Sequence, residues 1–137
     1  MSKKQQKPKQ LTPRKRAGNV GEAAAARYLE RRGLTIVARN VARKTGELDI
    51  VARGPDGLHI VEVKTLVCSE FPVQGSHADA YDPSENLHHD KIRKVARTAE
   101  WYVANIGWEG EWQIDAALVW LRERDERCLV RYIPQIL

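Results

Sequence analysis

The sequence predicts a single α/β domain in which a mixed β-sheet is flanked by helices. The chain has 137 residues, 42% of them apolar and 30% charged, which is typical of one soluble domain with one core. The predicted elements run in the order helix, three strands, helix, two strands, and this order favours helices packed on a sheet. No stretch of about 18 apolar residues is present, so no membrane partner is expected.

The first helix is predicted over residues 19–32, where four consecutive alanines favour helix formation. Asn19 and Glu22 have the spacing of a capping box at its start, and Gly33 is a natural stop. The second helix, residues 91–106, has apolar side chains at helical spacing.

Five strands are predicted from short apolar runs rich in β-branched residues. The second and third are joined by a Gly-Pro-Asp-Gly turn, so we expect them to form a hairpin. The polar segment 67–89 lacks periodicity, which is typical of a functional or disordered loop, although Asp82 has the character of a helix cap. The predicted strands cover residues 34–39, 47–53, 58–66, 111–122 and 128–133.

The charge is concentrated at the N-terminus. Residues 1–17 carry seven basic side chains and no acid, so that of the total net charge of +5 the remaining residues hold about −2. We expect residues 1–13 to be a disordered basic tail in front of a single domain over residues 14–137. Two interpretations of the basic segment stay open, a solubilising tail and an arm that binds nucleic-acid phosphates, with Arg14, Lys15 and Arg16 as candidate contacts.

The cysteines and the N-terminus predict a cytoplasmic protein. Cys68 and Cys128 belong to no Cys/His ligand pattern, so we expect free thiols and no zinc site. The basic N-terminus is not followed by the apolar segment of a secretory signal.

An acid and a base stand side by side in the apolar third strand. Alternation of side chains places Glu62 and Lys64 on the same face, and Asp49 interrupts the apolar second strand. If the hairpin pairs as expected, Asp49, Glu62 and Lys64 converge. Glu22 lies on the apolar side of its helix, where a carboxylate needs a partner, and it is a candidate fourth member.

Two carboxylates at this separation suit a hard cation such as Mg²⁺ or Mn²⁺, with the backbone carbonyl of Val63 as a further ligand beside Asp49 and Glu62. Such an ion activates water, and the Lys64 ammonium would offset charge that develops on a phosphoryl group. The alternative is an ordinary exposed charge pair of Glu62 with Lys64.

Three other acids have simpler interpretations. Glu22 has the capping-box position as its alternative, and Glu47 is expected to be a structural acid near the turn. Asp115 interrupts the fourth strand, and we favour an exposed position for it over a supporting role beside the site.

Four segments together resemble the YraN-like family of small bacterial proteins. They are Gly21-Glu22 on a helix, Arg39-Asn40, the run GELDIVA at residues 46–52, and VEVKT at residues 61–65. That family is similar to archaeal Holliday-junction resolvases, within the PD-(D/E)xK nuclease superfamily. The resemblance covers about residues 14–133 and is strongest over residues 18–66.

The resemblance implies a restriction-endonuclease-like sandwich, with a mixed central β-sheet flanked by α-helices. It assigns Asp49 and Glu62 as metal acids, Lys64 as the catalytic lysine and Glu22 as the helix acid. Lys91, at the start of the second helix, matches a basic phosphate-contacting position, and Lys94 lies one turn further along. Leu66 replaces an arginine that is common in the family, and the segment that follows also departs from its pattern.

Three functional hypotheses follow. The first is a metal-dependent endonuclease acting on nucleic acid, with structured or branched DNA as the expected substrate, and the second is a non-catalytic nucleic-acid-binding module in DNA repair or uptake. The third is a protein-interaction domain that retains the fold. A homodimer is implied only by the resemblance to resolvases, since a four-way junction needs two cuts.

Overall fold

The computed structural model describes residues 10–73 and 89–137. Within them the order helix, three strands, helix, two strands is confirmed. None of the helices in this part of the chain is long and apolar enough to cross a membrane. The elements are α1 (Pro13–Arg31), β1 (Thr35–Arg43), β2 (Gly46–Gly54), β3 (Gly57–Cys68), α2 (His89–Asn105), β4 (Trp112–Arg122) and β5 (Cys128–Ile133).

The five strands form one sheet in the order β1-β2-β3-β4-β5. Neighbouring strands are antiparallel except β3 and β4, which run parallel and are paired from Leu58↔Trp112 to Cys68↔Arg122. A parallel pair needs a crossover connection, and α2 lies in that connection. The predicted fold class, an α/β sandwich on a mixed sheet, is confirmed.

Each face of the sheet is covered by one helix. The buried alanines of α1 and Leu29 pack on one face, together with Val61 of β3. The apolar stripe of α2, which includes Val95, packs on the other face, together with Ile60. Burial of each large aliphatic side chain stabilises the fold by about 1.5–3 kcal/mol, so alternation along β3 holds both helices in place.

Helix α1 begins six residues earlier than predicted. The Thr12 side chain accepts a hydrogen bond from the backbone N–H of Lys15 at 3.2 Å, and Pro13 occupies the first turn. The predicted start at Asn19, and its capping box with Glu22, are therefore wrong. Threonine followed by proline is itself a helix-start signal, because proline needs no hydrogen-bond partner there.

Gly21 brings α1 into close contact with β3. A Cβ at this position would overlap the Thr65 side chain, since Thr65 Cβ would lie 2.9 Å away. The absence of a side chain at Gly21 therefore sets how near α1, with Glu22, approaches the strand that carries Glu62.

The segment predicted as a loop is shorter than expected on the N-terminal side. Strand β3 continues to Cys68, and α2 begins at His89. Residues 1–9, most of the expected basic tail, and residues 74–88, with the expected helix cap Asp82, lie outside the described residues.

Candidate functional site

Asp49 lies where β2 separates from β3. The pairing of the two strands runs from Gly54↔Gly57 to Ile50↔Val61 and ends there. Beyond that point the backbone N–H of Val63 donates to Asp49 Oδ2 at 2.9 Å, so a side-chain carboxylate takes the role of a main-chain acceptor. Burial raises the pKa of Asp49, and the Val63 hydrogen bond and the charge of Lys91 oppose that rise.

Glu62 is a buried carboxyl group with one oxygen that has no partner. Only 4% of the residue is exposed, and no described group hydrogen-bonds its Oε1 atom. Alternation from Ile60 and Val61 places Glu62 on the face that α2 covers. Burial first, and then the neighbouring charge of Asp49, raise the pKa of Glu62 to about 8. Such a group stays protonated at neutral pH unless a cation compensates its charge.

Glu22 is held beside these acids by Asn40, for which no role in the site was predicted from the sequence. With its amide nitrogen toward the acids, Asn40 donates to Glu22 Oε1 at 2.9 Å and to Glu47 Oε1 at 3.0 Å. Asn40 has a positive φ of 53°, a conformation that asparagine adopts more readily than most residues. Burial, followed by the charge of Asp49, raises the pKa of Glu22. Asn40 and Glu47 therefore join Glu22 to the Asp49 and Glu62 pair.

Basic side chains line the cleft next to the acids. An open cleft of about 470 Å³ is lined by Arg14, Lys64 and Lys91 together with Glu22 and Val63, and Val63 bonds Asp49. We call this cleft, with Asp49 and Glu62 beside it, the acid cleft. The positive charge of Lys91 acts on both Asp49 and Glu62 and lowers the pKa of each against the effect of burial. Lys64 is half-buried, and among the described residues it has no carboxylate within ion-pair distance.

Not all of the predicted basic contacts reach this cleft. Arg14, Lys15 and Arg16 lie on the first turn of α1 and not in a tail. Arg16 bonds Glu126 at 2.7 Å, on the side of the β4–β5 turn. Lys15 is exposed and does not line the cleft, and Lys94 lies one turn along α2 from Lys91.

The acids do not by themselves form a complete ligand set. Within residues 10–73 and 89–137 no group of three or more His, Cys, Asp or Glu side chains could hold a metal ion. A cation at Asp49 and Glu62 would therefore need further oxygens, from the Val63 carbonyl, water or a bound phosphate. Mg²⁺ is commonly bound by one or two carboxylates with waters and substrate oxygens, so the pair fits this ion.

A second polar cluster lies at the other end of β3, and it corrects the prediction for Asp115. Asp115 is fully buried and not exposed. It accepts hydrogen bonds from Gln113 Nε2 at 2.7 Å, from the backbone N–H of Gln135 at 2.8 Å and from the Tyr132 hydroxyl. Its Oδ2 atom also contacts His59 Nδ1 at 2.7 Å. With its acceptor oxygens fully engaged, Asp115 supports the strands rather than the acid cleft.

His59 links this cluster to the β2–β3 turn. Its Nε2 atom lies 2.8 Å from Asp56 Oδ1 while Nδ1 contacts Asp115. Burial lowers the pKa of His59, but the hydrogen bonds to Asp56 and Asp115 outweigh it and leave the pKa raised above 6.5.

The two cysteines are free, as predicted. Cys68 and Cys128 are half-buried, and burial raises the pKa of each thiol. Neither lies in the acid cleft.

A family model described as "Uncharacterised protein family UPF0102" matches residues 21–127. A UPF0102 protein of Desulfosudis oleivorans is 38% identical over 100 residues, which cover 73% of this chain and 74% of the relative. A Campylobacter jejuni relative of the same name is 34% identical over 98 residues, covering 72% and 78%. A Chloroflexus aurantiacus relative is 57% identical over 54 residues, which span only 45% of its length.

Among solved structures, Pyrococcus furiosus SfsA in complex with Ca²⁺ matches with a TM-score of 0.39 and 15% identity. The match covers 86% of this chain but less than two thirds of SfsA, at 64% of its length. On the strength of the family model and the curated relatives, the chain belongs to the uncharacterised protein family UPF0102.

Proposed function

We propose that the chain is a metal-dependent endonuclease that hydrolyses phosphodiester bonds of nucleic acid, with structured or branched DNA as its substrate. The observation that carries this proposal is the Glu62 carboxyl, buried beside Asp49 with an unpartnered Oε1. A buried acid with a free oxygen and a pKa raised to about 8 is unfavourable without a cation. Perturbed carboxyls of this kind concentrate at functional sites.

The oxygen donors of the site are of the kind that a divalent cation binds. Asp49, Glu62 and the Val63 carbonyl would hold it, and Mg²⁺ or Mn²⁺ accepts such oxygen ligands. When bound, a cation of this class supplies compensation of the carboxylate charge and a lowered pKa of bound water.

The basic side chains of the cleft would bind and orient the substrate. Lys64 and Lys91, with Arg14, place positive charge beside the acids, where a phosphodiester would lie against them. Lys64, free of ion pairs among the described residues, would offset charge on the phosphoryl oxygens. Glu22, held by Asn40, would orient the attacking water.

The reaction is a hydrolysis with one water consumed. A bond forms between the water oxygen and phosphorus, and the bond from phosphorus to one ester oxygen breaks. The departing oxygen ends with a proton, which gives a hydroxyl end and a phosphomonoester end.

The first prediction tests the site directly. Replacing Asp49 with asparagine should abolish Mg²⁺ binding measured by calorimetry and reduce cleavage of a labelled four-way junction by about 100-fold or more, because a ligand charge is lost. Glu109→Gln is the matched control, since Glu109 is an exposed acid in the turn after α2 and lies away from the cleft. Cleavage by the wild type that needs no divalent cation, or an unchanged Asp49→Asn variant, would contradict the proposal.

A non-catalytic nucleic-acid-binding module is the second candidate. The observation in its favour is that the described acids include no three that could hold a metal ion on their own. Under this alternative, DNA binding survives in a chelator and in Asp49→Asn, while no duplex, forked or four-way substrate is cut.

A further inference from the structure

Two groups of cations in the described part of the chain differ in whether nearby carboxylates balance their charge. Around the β4–β5 turn they are neutralised, since Arg122 bonds Asp125 at 2.7 Å and Arg124 bonds Glu70 at 2.6 Å. Along α2 and the β1–β2 turn they are not, because no described carboxylate lies within ion-pair distance of Arg43, Lys44 or Arg97. Unpaired cations that stand together repel one another, so the second group is a surface that favours an anionic partner.

The β1–β2 turn is docked on α2, which brings these cations onto one surface. The hydroxyls of Thr45 and Thr98 lie 2.7 Å apart, and Thr98 also donates to the Lys94 carbonyl at 3.0 Å. A side chain at Gly46 would meet Lys94 Cβ at 3.7 Å. The turn therefore lies against the middle of α2, and the cations of both elements are neighbours.

The guanidinium of Arg43 lies over the ring of Trp101. Its guanidinium carbon lies 3.7 Å from the centre of the Trp101 ring. A guanidinium that stacks through its face keeps its N–H groups in the plane, and these remain free for the two oxygens of a phosphate. Lysine could not substitute for this arrangement, because an ammonium has no planar fork.

The basic side chains along α2 span a length that suits a short stretch of a nucleic-acid strand. Lys91, Lys94 and Trp101 follow three- and seven-residue steps on α2, and Arg97 flanks them. At a rise of about 1.5 Å per residue, the ten residues from Lys91 to Trp101 span about 15 Å. This equals about four nucleotides of one DNA strand. Lys91 at one end lines the cleft, and at the other end Arg43, Lys44, Thr45, Arg97 and Trp101 line an open concavity of about 650 Å³.

We infer that Lys91, Lys94, Arg97, Arg43 and Lys44 form a basic track that binds the phosphate backbone of a nucleic acid and leads it to the acid cleft. Lys91 and Lys94 were expected as contacts, whereas Arg43, Lys44 and Arg97 extend the surface to the β1–β2 turn. The inference rests on the proposed function in its choice of partner, but it concerns binding and not cleavage.

The test measures the salt dependence of DNA binding by the full chain in a chelator, where no cutting can occur. Anisotropy of a labelled duplex and of a labelled four-way junction is titrated between about 50 and 200 mM KCl. Each lost phosphate contact should reduce the slope of log affinity against log salt by about 0.9. Arg43→Gln/Arg97→Gln should therefore reduce it by about 1.8 and weaken binding by about 10-fold or more.

The matched control removes the same charge from the opposite helix. Arg27 and Arg31 are exposed on α1, so Arg27→Gln/Arg31→Gln has the same net charge as the track variant. It should leave the slope unchanged. Equal losses in the two double variants, or no loss in the track variant, would overturn the basic track.

Two further variants separate binding from folding and from catalysis. Lys44→Gln/Lys94→Gln changes exposed side chains only, so it should weaken binding without a shift in thermal midpoint. Arg43→Lys should keep most of the salt slope but weaken binding by about 3-fold or more, because the planar fork is lost. If the track variants lose DNA binding but the wild type never cuts DNA, the basic track is supported and the endonuclease is refuted. If the wild type cuts DNA but the track variants bind it as tightly as the wild type, the endonuclease is supported and the basic track is refuted.

Discussion

Below about pH 8 the Glu62 carboxyl of the folded chain is mostly protonated, because burial and the charge of Asp49 raise its pKa from 4.5 to about 8. The folded state therefore binds more protons than the unfolded state between these values. The stability that protonated Glu62 provides is fully present below about pH 4.5 and is lost as the pH rises through about 8.

Replacing Glu62 with glutamine should therefore stabilise the metal-free protein at high pH. In a chelator at pH 8.5, we expect a gain of about 1–3 kcal/mol in the free energy of unfolding, since no charge has to be buried. At pH 5 the gain should be small. Denaturant unfolding at a series of pH values measures both. Glu109→Gln, at an exposed acid away from the cleft, is the control, and a Glu62→Gln gain that does not depend on pH would contradict the assignment.

At the scale of single residues, the sequence located most of the acid cleft. Asp49 and Glu62 were found because charged residues in apolar strands are costly, and the structure brings them together. The contact of Asn40 with Glu22 was not predicted, since it joins β1 to α1 and leaves no local periodic signal. The sequence pattern also did not predict that Lys91 lies close enough to lower the pKa of both Asp49 and Glu62.

Helix α1 depends on a small residue where it crosses β3. Gly21→Ala should destabilise the fold by about 1–3 kcal/mol, although alanine is the better helix former, because its Cβ would overlap Thr65. Gly18→Ala, three residues earlier in the same helix, meets nothing within 4 Å and should stabilise the fold by about 0.5–1 kcal/mol. Thermal unfolding of both variants measures the difference. A Gly21→Ala variant as stable as Gly18→Ala would show that α1 does not need this close approach.

The elements were predicted well in their interiors and less well at their ends. The strand Cys128–Ile133 was found with its observed bounds, and periodicity found α2 within two residues. The start of α1 was missed because Asn19 and Glu22 have the spacing of a cap, while Thr12 provides it. Two caps compete in one sequence, and local preference does not show which of them the packing of α1 on β3 selects.

At the scale of the whole molecule, the Asp115 cluster joins three strands and the C-terminal segment. The contacts made by His59, Tyr132 and Gln135 all converge on one carboxyl group. Asp115 looked exposed from the sequence because its donors lie up to 56 positions away, where no local pattern reports them.

The contacts of His59 in this cluster should make the protein less stable as the pH rises above 6.5 and through the raised pKa of His59. The hydrogen bonds to Asp56 and Asp115 raise the pKa of His59 above 6.5, so its contribution is fully present below pH 6.5 and is lost as the pH rises through the folded-state value. His59→Gln should cost about 1–3 kcal/mol at pH 6 and less at pH 9.

Measuring unfolding in the Glu62→Gln background removes the titration of Glu62, whose pKa of about 8 lies in the same pH range. If His59→Gln costs the same at pH 6 and pH 9, the imidazole is not the titrating group.

The parallel pairing of β3 with β4 has a consequence for the order of folding. Strands β1, β2 and β3 are joined by short turns and can pair as soon as they are made, whereas the eleven pairs between β3 and β4 form only after the intervening chain has crossed over. Until then the inner edge of an apolar strand is open to other chains, which is a route to aggregation in a nascent protein. The strand that carries Glu62 and Lys64 is thus assembled in two stages, and its second edge closes last.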